Sequence, residues 1–151
     1  MKIEISNKIP DGAITVREAV FKEEQGFVNE FDDVDATAVH FLMTHDGKPV
    51  ATCRVFTQGR EDEYILGRLA VLKEYRGDHL GSKLLAEVDK YVRSKGGKAI
   101  RLHSQCTARK FYEANGYVAY GDVEDDEGCP HIWMKKESNM DELADINSIK
   151  L

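Results

Sequence analysis

Apolar and polar positions alternate in some stretches of the chain and recur at helical spacing in others. KIEIS (2–6) alternates as a short strand does. ITVREAVFKEEQGF (14–27) places Val16, Val20 and Phe21 on one helical stripe, and Gly26 supplies a stop. AVHFLMTH (38–45) and VATCRVFTQ (50–58) flank DGKP (46–49), whose Asp46-Gly47 pair predicts a hairpin turn. EYILGRLAVL (63–72) reads as a strand with Ile65, Gly67, Leu69 and Val71 on one face. A helix follows from about Leu80 to Lys95, with Leu80, Leu84, Leu85, Val88 and Val92 as its apolar stripe and Gly96-Gly97 as its end. KAIRLHS (98–104) is a strand, and TARKFYEAN (107–115) is a short helix closed by Gly116. YVAYGDV (117–123) and HIWMKK (131–136) are the last strands. Helices alternating with strands, together with hairpins, predict a mixed α/β sheet rather than a purely parallel one.

Composition narrows the class. The 151 residues suit one domain, and 42% hydrophobic residues supply a core. No apolar run approaches the roughly 18 residues of a membrane span, and MKIEISNKIPDG lacks a signal pattern, so a cytoplasmic protein is expected. A net charge of −6 argues against nucleic acid as partner. Cys53, Cys106 and Cys129 show no CxxC spacing and read as reduced thiols. Acidic residues gather at 30–35 (EFDDVD) and 122–127 (DVEDDE). They read as solvated loops, or as a field that attracts a cationic amine. The domain is assigned to 1–137. In the tail 138–151, Met140, Leu143, Ala144 and Ile146 give a weakly amphipathic helix, either a frayed end or a dimer arm.

Candidate chemistry centres on YRGDHLGSKLL (75–85), where a strand passes into a helix. The first amides of a helix lack internal acceptors and carry positive potential, which suits an anion. Gly77 and Gly81 would let the backbone approach a phosphate, and Arg76 adds charge. The order Gly81-Ser82-Lys83 does not satisfy the P-loop pattern, and GxGxxG is absent. Taken alone, these residues fit a phosphate cradle or an ordinary strand-to-helix turn.

LAVLKEYRGDHLGSKLL (69–85) resembles the acyl-coenzyme A-binding motif of the GNAT acetyltransferase superfamily: a strand, [RQ]-x-x-G-x-[GA], then a helix. Arg76, Gly77, Leu80 and Gly81 match in order, and His79 stands at the usual middle glycine. RKFYEANGY (109–117) resembles the second motif of the superfamily. VREAVFKEEQG (16–26), HSQ (103–105) and EGCPHIWMKK (127–136) are similar to the ElaA/YjcF-like bacterial branch, with Cys129 where that branch often has an aliphatic residue. The resemblance spans about residues 2–137. It implies one α/β (α+β) GNAT fold: a mixed, mostly antiparallel twisted sheet with helices on both faces.

The resemblance implies acetyl transfer from acetyl-coenzyme A to a primary amine, with no metal. Backbone amides of Gly77, Asp78, His79, Leu80, Gly81 and Ser82 would hold the pyrophosphate. Arg76, Lys73 or Lys110 would reach the outer phosphate. The pantetheine arm would run beside Leu69, Ala70 and Val71. An amide of Ala70 or Val71 would then face the oxyanion, a contact contributing about 3 kcal/mol. Tyr112 holds the general-acid position; a phenol near pKa 10 stays protonated and can supply a thiolate whose thiol lies near 8.5. Without the resemblance, Tyr112 reads as a core ring. The base is Glu24, His103, His131 or a water chain, and Glu24 alternatively anchors the substrate ammonium. Arg54 and Gln105 are assigned to the acceptor pocket. The acceptor is a small-molecule or peptide amine, cationic by the acidic segments, and exposed strand edges with the tail suggest a homodimer.

Three rival readings use the same residues. His103-x-x-Cys106 with Cys129-x-His131 has the ligand types of a zinc site. Cys106 with a histidine has the makings of a nucleophilic pair. A non-catalytic acyl-coenzyme A-binding module would need the loop but not Tyr112.

Overall fold

A computed structural model describes residues 1–27 and 31–137. The tail 138–151, read as a helix or dimer arm, and Glu30 of the first acidic segment lie outside the described residues. Among the described residues seven strands form one sheet in the order β1-β2-β3-β4-β5-β7-β6. They are β1 (Lys2–Ser6), β2 (Val39–His45), β3 (Lys48–Thr57), β4 (Glu63–Val71), β5 (Ala99–Gln105), β6 (Val118–Asp126) and β7 (Cys129–Glu137). Among these described strands only β4 and β5 pair in parallel; every other neighbouring pair is antiparallel. A parallel pair needs a long crossover, and helix α2 (Leu80–Ser94) provides it.

Helix α1 (Asp11–Arg17) starts three residues before the expected Ile14, directly after the extended Pro10. Gly12 permits this, because a Cβ there would stand 2.8 Å from Leu42 Cδ2 in β2. From Glu18 to Glu24 the same helix widens to π geometry, and the Gln25 amide reaches back five residues to the Val20 carbonyl at 3.0 Å. Val16, Val20 and Phe21 pack with Ala70 on one face of the sheet. Leu84, Leu85, Val88 and Val92 of α2 pack with Phe41, Leu66 and Leu102 on the other. Helix α3 (Arg109–Ala114) carries Tyr112 into that second cluster. The helices therefore lie on both faces of a mixed, mostly antiparallel sheet.

Two expectations are corrected. Ile65 and Gly67 do not share a face with Leu69 and Val71. Two steps on β3, Thr52 to Arg54, oppose three on β4, Ala70 to Gly67, so β4 carries one extra residue. Arg68, at φ +52°, is that residue. It puts Tyr64 and Leu66 on the α2 face together with Leu69 and Val71, and Ala70 and Leu72 on the α1 face. The acidic segments are not both solvated loops. Residues 33–36 form a 3₁₀ turn with a capping box between Asp32 and Asp35, and 122–126 belong to strand β6. No helix among the described residues is long and apolar enough to cross a membrane.

Candidate active site

Strands β4 and β5 pair from Glu63↔Ala99 to Leu66↔Leu102 and no further. Beyond that rung β4 stays with β3 as far as Ala51↔Val71, and β5 stays with β7 as far as Gln105↔His131. The strands part, and a cleft of about 290 Å³ opens between them. Leu66–Leu69 line one side and Leu102–Gln105 the other. Phe21, Gln25 and Phe27 come from the first helix, Ala108 and Tyr112 from the α3 region, and Asp126, Glu127 and His131 from the β6–β7 hairpin.

The backbone offers donors here. The Leu72 amide donates to the Val50 carbonyl at 2.9 Å. Amide direction alternates along a strand, so Ala70 also points toward β3, whereas Leu69 and Val71 point to the side where β5 has left. The expectation that Ala70 faces the cleft is corrected; Val71 retains that geometry and Leu69 joins it.

At the end of β4 a 3₁₀ turn (Lys73–Tyr75) leads into the glycine loop. Gly77 has φ +95° and His79 φ +61°, so the histidine at the middle-glycine position takes the left-handed conformation that glycine takes freely. His79 is the N-cap of α2, and among the described residues no side-chain hydrogen bond caps the helix. The first intrahelical bond runs from the Lys83 amide to the His79 carbonyl at 3.1 Å. The Leu80, Gly81 and Ser82 amides precede it and lack intrahelical acceptors. Gly81 serves packing: a Cβ there would stand 2.9 Å from the Phe111 ring. Asp78 is exposed on the loop.

Tyr112 lines the cleft while only 8% of its surface is exposed. Burial, and then neighbouring Cys53, pushes its phenol well above the ordinary tyrosine range, so the proton stays on. Two imidazoles also line the cleft. His131 Nδ1 donates to the Cys129 carbonyl at 2.8 Å, which leaves Nε2 as the bare nitrogen of the neutral ring. His103 lies 4.9 Å from it, centroid to centroid, and stacks on Trp133 at 4.8 Å. His103 Nε2 is buried without a hydrogen-bond partner among the described residues. Burial first, and then His131, holds His103 below the usual histidine range against the pull of Glu124 and Asp126.

Other predicted residues stand elsewhere. Arg54 is 4% exposed and does not line the cleft. Its Nη1 donates to Asp32 at 2.7 Å and to Asp35 at 2.8 Å. Glu24 is outside the cleft lining and binds Arg76 through both carboxylate oxygens, each at 2.7 Å. Lys73 and Lys110 are exposed. Gln105 does line the cleft, and its Nε2 donates to Gln25 Oε1 at 2.8 Å across the mouth. Among the described residues no three His, Cys, Asp or Glu side chains gather to hold a metal, so His103, Cys106, Cys129 and His131 do not form the zinc set considered above. Phe21, Gln25, Phe27 and Ser104 line the cleft without having been expected there. Phe21 was visible on the predicted helical stripe, and Gln25 and Ser104 lie within VREAVFKEEQG (16–26) and HSQ (103–105); Phe27 carries no pattern that separates it from an ordinary surface residue.

Residues 9–138 match the model of the acetyltransferase (GNAT) domain. The chain is 35% identical over 132 residues to a Bacillus subtilis (strain 168) protein named as an acetyltransferase, covering 84% of this chain and 88% of that one. Its fold matches an N-acetyltransferase crystal structure from Lactobacillus plantarum with a TM-score of 0.82 at 30% identity, over 90% of this chain and 97% of that one. Escherichia coli ElaA matches with a TM-score of 0.79 at 24% identity, over 90% of this chain and 100% of that one.

Proposed function

The chain belongs to the GNAT acetyltransferase family, and we propose that it moves an acetyl group from acetyl-coenzyme A to a primary amine by direct attack. The observation that carries this reading is the parting of β4 from β5 beside an uncapped helix N-terminus, with Tyr112 buried in the cleft wall. The pyrophosphate lies on the α2 amides, and the pantetheine arm takes the place that β5 leaves beside Leu69 and Val71. The Val71 amide faces the thioester oxygen as charge develops there.

The amine nitrogen attacks the carbonyl carbon, and the amine's surplus proton passes to His131 Nε2. The tetrahedral adduct collapses, the carbon–sulfur bond breaks, and the thiolate takes the Tyr112 proton. A phenol raised by burial is a reluctant donor, but a thiolate formed in the same buried cleft is raised by the same desolvation. Glu24 is not the base in this reading, because Arg76 occupies it.

Asp126 and Glu127 of the β6–β7 hairpin line the cleft. Asp32 and Asp35 contribute little to the field there, since Arg54 and Arg17 bind them. This supports a cationic small molecule or a lysine-bearing peptide, recognised by the β6–β7 hairpin. The test is a panel of such amines with native chain and Tyr112→Phe. The reading expects turnover to fall about 100-fold in the variant with acetyl-coenzyme A affinity retained. Equal turnover would remove Tyr112 from the mechanism.

A further inference from the structure

Arg76 directly precedes Gly77 of the loop, the place from which a guanidinium would be expected to reach a phosphate. Its donors point elsewhere. Nη1 and Nη2 meet the two oxygens of Glu24, each at 2.7 Å, and Nε donates to the Val71 carbonyl at 3.0 Å. A two-pronged guanidinium–carboxylate pair fixes orientation as well as charge. Exposed ion pairs generally contribute little to stability, and both side chains here are more than a third exposed. The value of this pair therefore lies in what it connects.

It spans 52 residues of sequence and joins the two halves of the site. Glu24 ends the π-helical segment, and the next residue, Gln25, lines the cleft mouth. Val20 and Phe21 of that segment pack on Ala70 and lie beside Leu72. On the other side, Val71 is the last residue of β4. Its carbonyl, engaged by Arg76, points away from β3 as its amide does. The guanidinium thus ties the end of the first helix and the end of β4 to the loop that opens α2.

We infer that Glu24 and Arg76 form a positioning pair: Glu24 turns the guanidinium away from the cofactor phosphates and onto the Val71 carbonyl, locking the end of β4, the glycine loop and the acceptor-side helix in the arrangement that receives the acyl donor. The inference rests on the reading that the α2 amides hold the pyrophosphate. It reverses the sign of what Glu24 should do. If Arg76 were a phosphate ligand, Glu24 would compete for it, and removing the carboxylate would strengthen cofactor binding. In a positioning pair, removing either partner weakens it, and a lysine cannot replace the fork of arginine.

The test is calorimetric titration of native chain, Glu24→Gln, Arg76→Lys, Arg76→Gln and the Glu24→Gln/Arg76→Gln double variant with acetyl-coenzyme A, with thermal melts as the control for folding. The positioning pair predicts that Glu24→Gln weakens binding about 10-fold, that Arg76→Lys is as weak as Arg76→Gln, and that the double variant is no weaker than either single one. Binding by Glu24→Gln as tight as native or tighter, with Arg76→Lys near native, would make Arg76 a direct phosphate contact and overturn the inference. A lowered melting temperature with unchanged affinity would overturn it as well. Failure of the native chain itself to bind would remove the underlying reading of the loop.

Discussion

Leu66 of β4 and Leu102 of β5 form the last rung of the parallel ladder, and Arg68, the extra residue of β4, follows two positions on. The extra residue turns the strand and keeps Leu69 and Val71 on the core face. Deleting Arg68 would restore simple alternation, with Leu66, Leu69 and Val71 still on that face. The deletion variant is expected to melt cooperatively and to lose acetyl-coenzyme A binding by more than about 10-fold, because β4 can then continue along β5. Calorimetry beside a thermal melt checks this; a folded deletion variant with native affinity would show that the bulge does not make the cleft.

Asp35 stands between two buried guanidinium groups. Arg17 Nη1 reaches it at 2.7 Å and Arg54 Nη1 at 2.8 Å, with Arg17 1% and Arg54 4% exposed. Burial pushes the Asp35 carboxyl up, but the Arg17 and Arg54 hydrogen bonds outweigh it and hold the carboxyl at about 2. Asp35→Asn removes one anion from between these cations and is expected to cost about 2–3 kcal/mol in urea unfolding. The folded value lies below the ordinary carboxylate value near 3.9, so the stabilisation is complete above about pH 4 and is lost as pH falls toward 2. Unfolding free energies at pH 7 and in that acid window should show the native chain approaching the variant only at the low end.

The two loop glycines answer to different forces. Gly77→Ala enters open space but at φ +95°, a conformation that costs an alanine about 1–2 kcal/mol. Gly81→Ala has helical backbone but meets the Phe111 ring at 2.9 Å, and overpacking there is expected to cost about 1–3 kcal/mol. Only the second cost should be relieved by a companion Phe111→Leu substitution. A double-variant cycle of melts distinguishes the two; relief of Gly77→Ala by the same companion would contradict the assignment.

His103 should titrate below an ordinary histidine. His103 is held below the ordinary histidine value near 6.5 by burial and by His131, while Glu124 and Asp126 pull it up. At neutral pH it is therefore uncharged. Asp126→Asn removes one of the anions that favour its proton, so its midpoint should move further down. Proton NMR titration of the His103 ring reads this directly, and an unchanged midpoint would mean that Asp126 does not face it.

Much of this arrangement was legible in the chain, for identifiable reasons. Helix α2 was read from its stripe at Leu84, Leu85, Val88 and Val92, all of which are buried. The first hairpin was read from Asp46-Gly47, which take φ +51° and +79°. The β6–β7 hairpin turns on Glu127-Gly128 in the same conformation, but glutamate is not a turn signal and β6 was ended too early. The bulge at Arg68 was invisible because arginine has no preference for positive φ; the conformation is imposed by the pairing of β3 with β4 and the core on either side. The same limit explains Arg54. Nothing in the spacing of Arg17, Asp32, Asp35 and Arg54 shows that a turn at 33–36 will fold onto β3 and bind that guanidinium before a substrate can.

The central claim is that the parted strands and the α2 amides receive an acyl-coenzyme A. The most direct measurement is calorimetric titration of the native chain with acetyl-coenzyme A, with dephospho-coenzyme A as the comparison. Saturable one-to-one binding, weaker for the dephospho form, is the predicted result and assigns the outer phosphate a cationic contact as well. No heat of binding at millimolar cofactor would contradict the account, because the cleft and the glycine loop would then be doing something else.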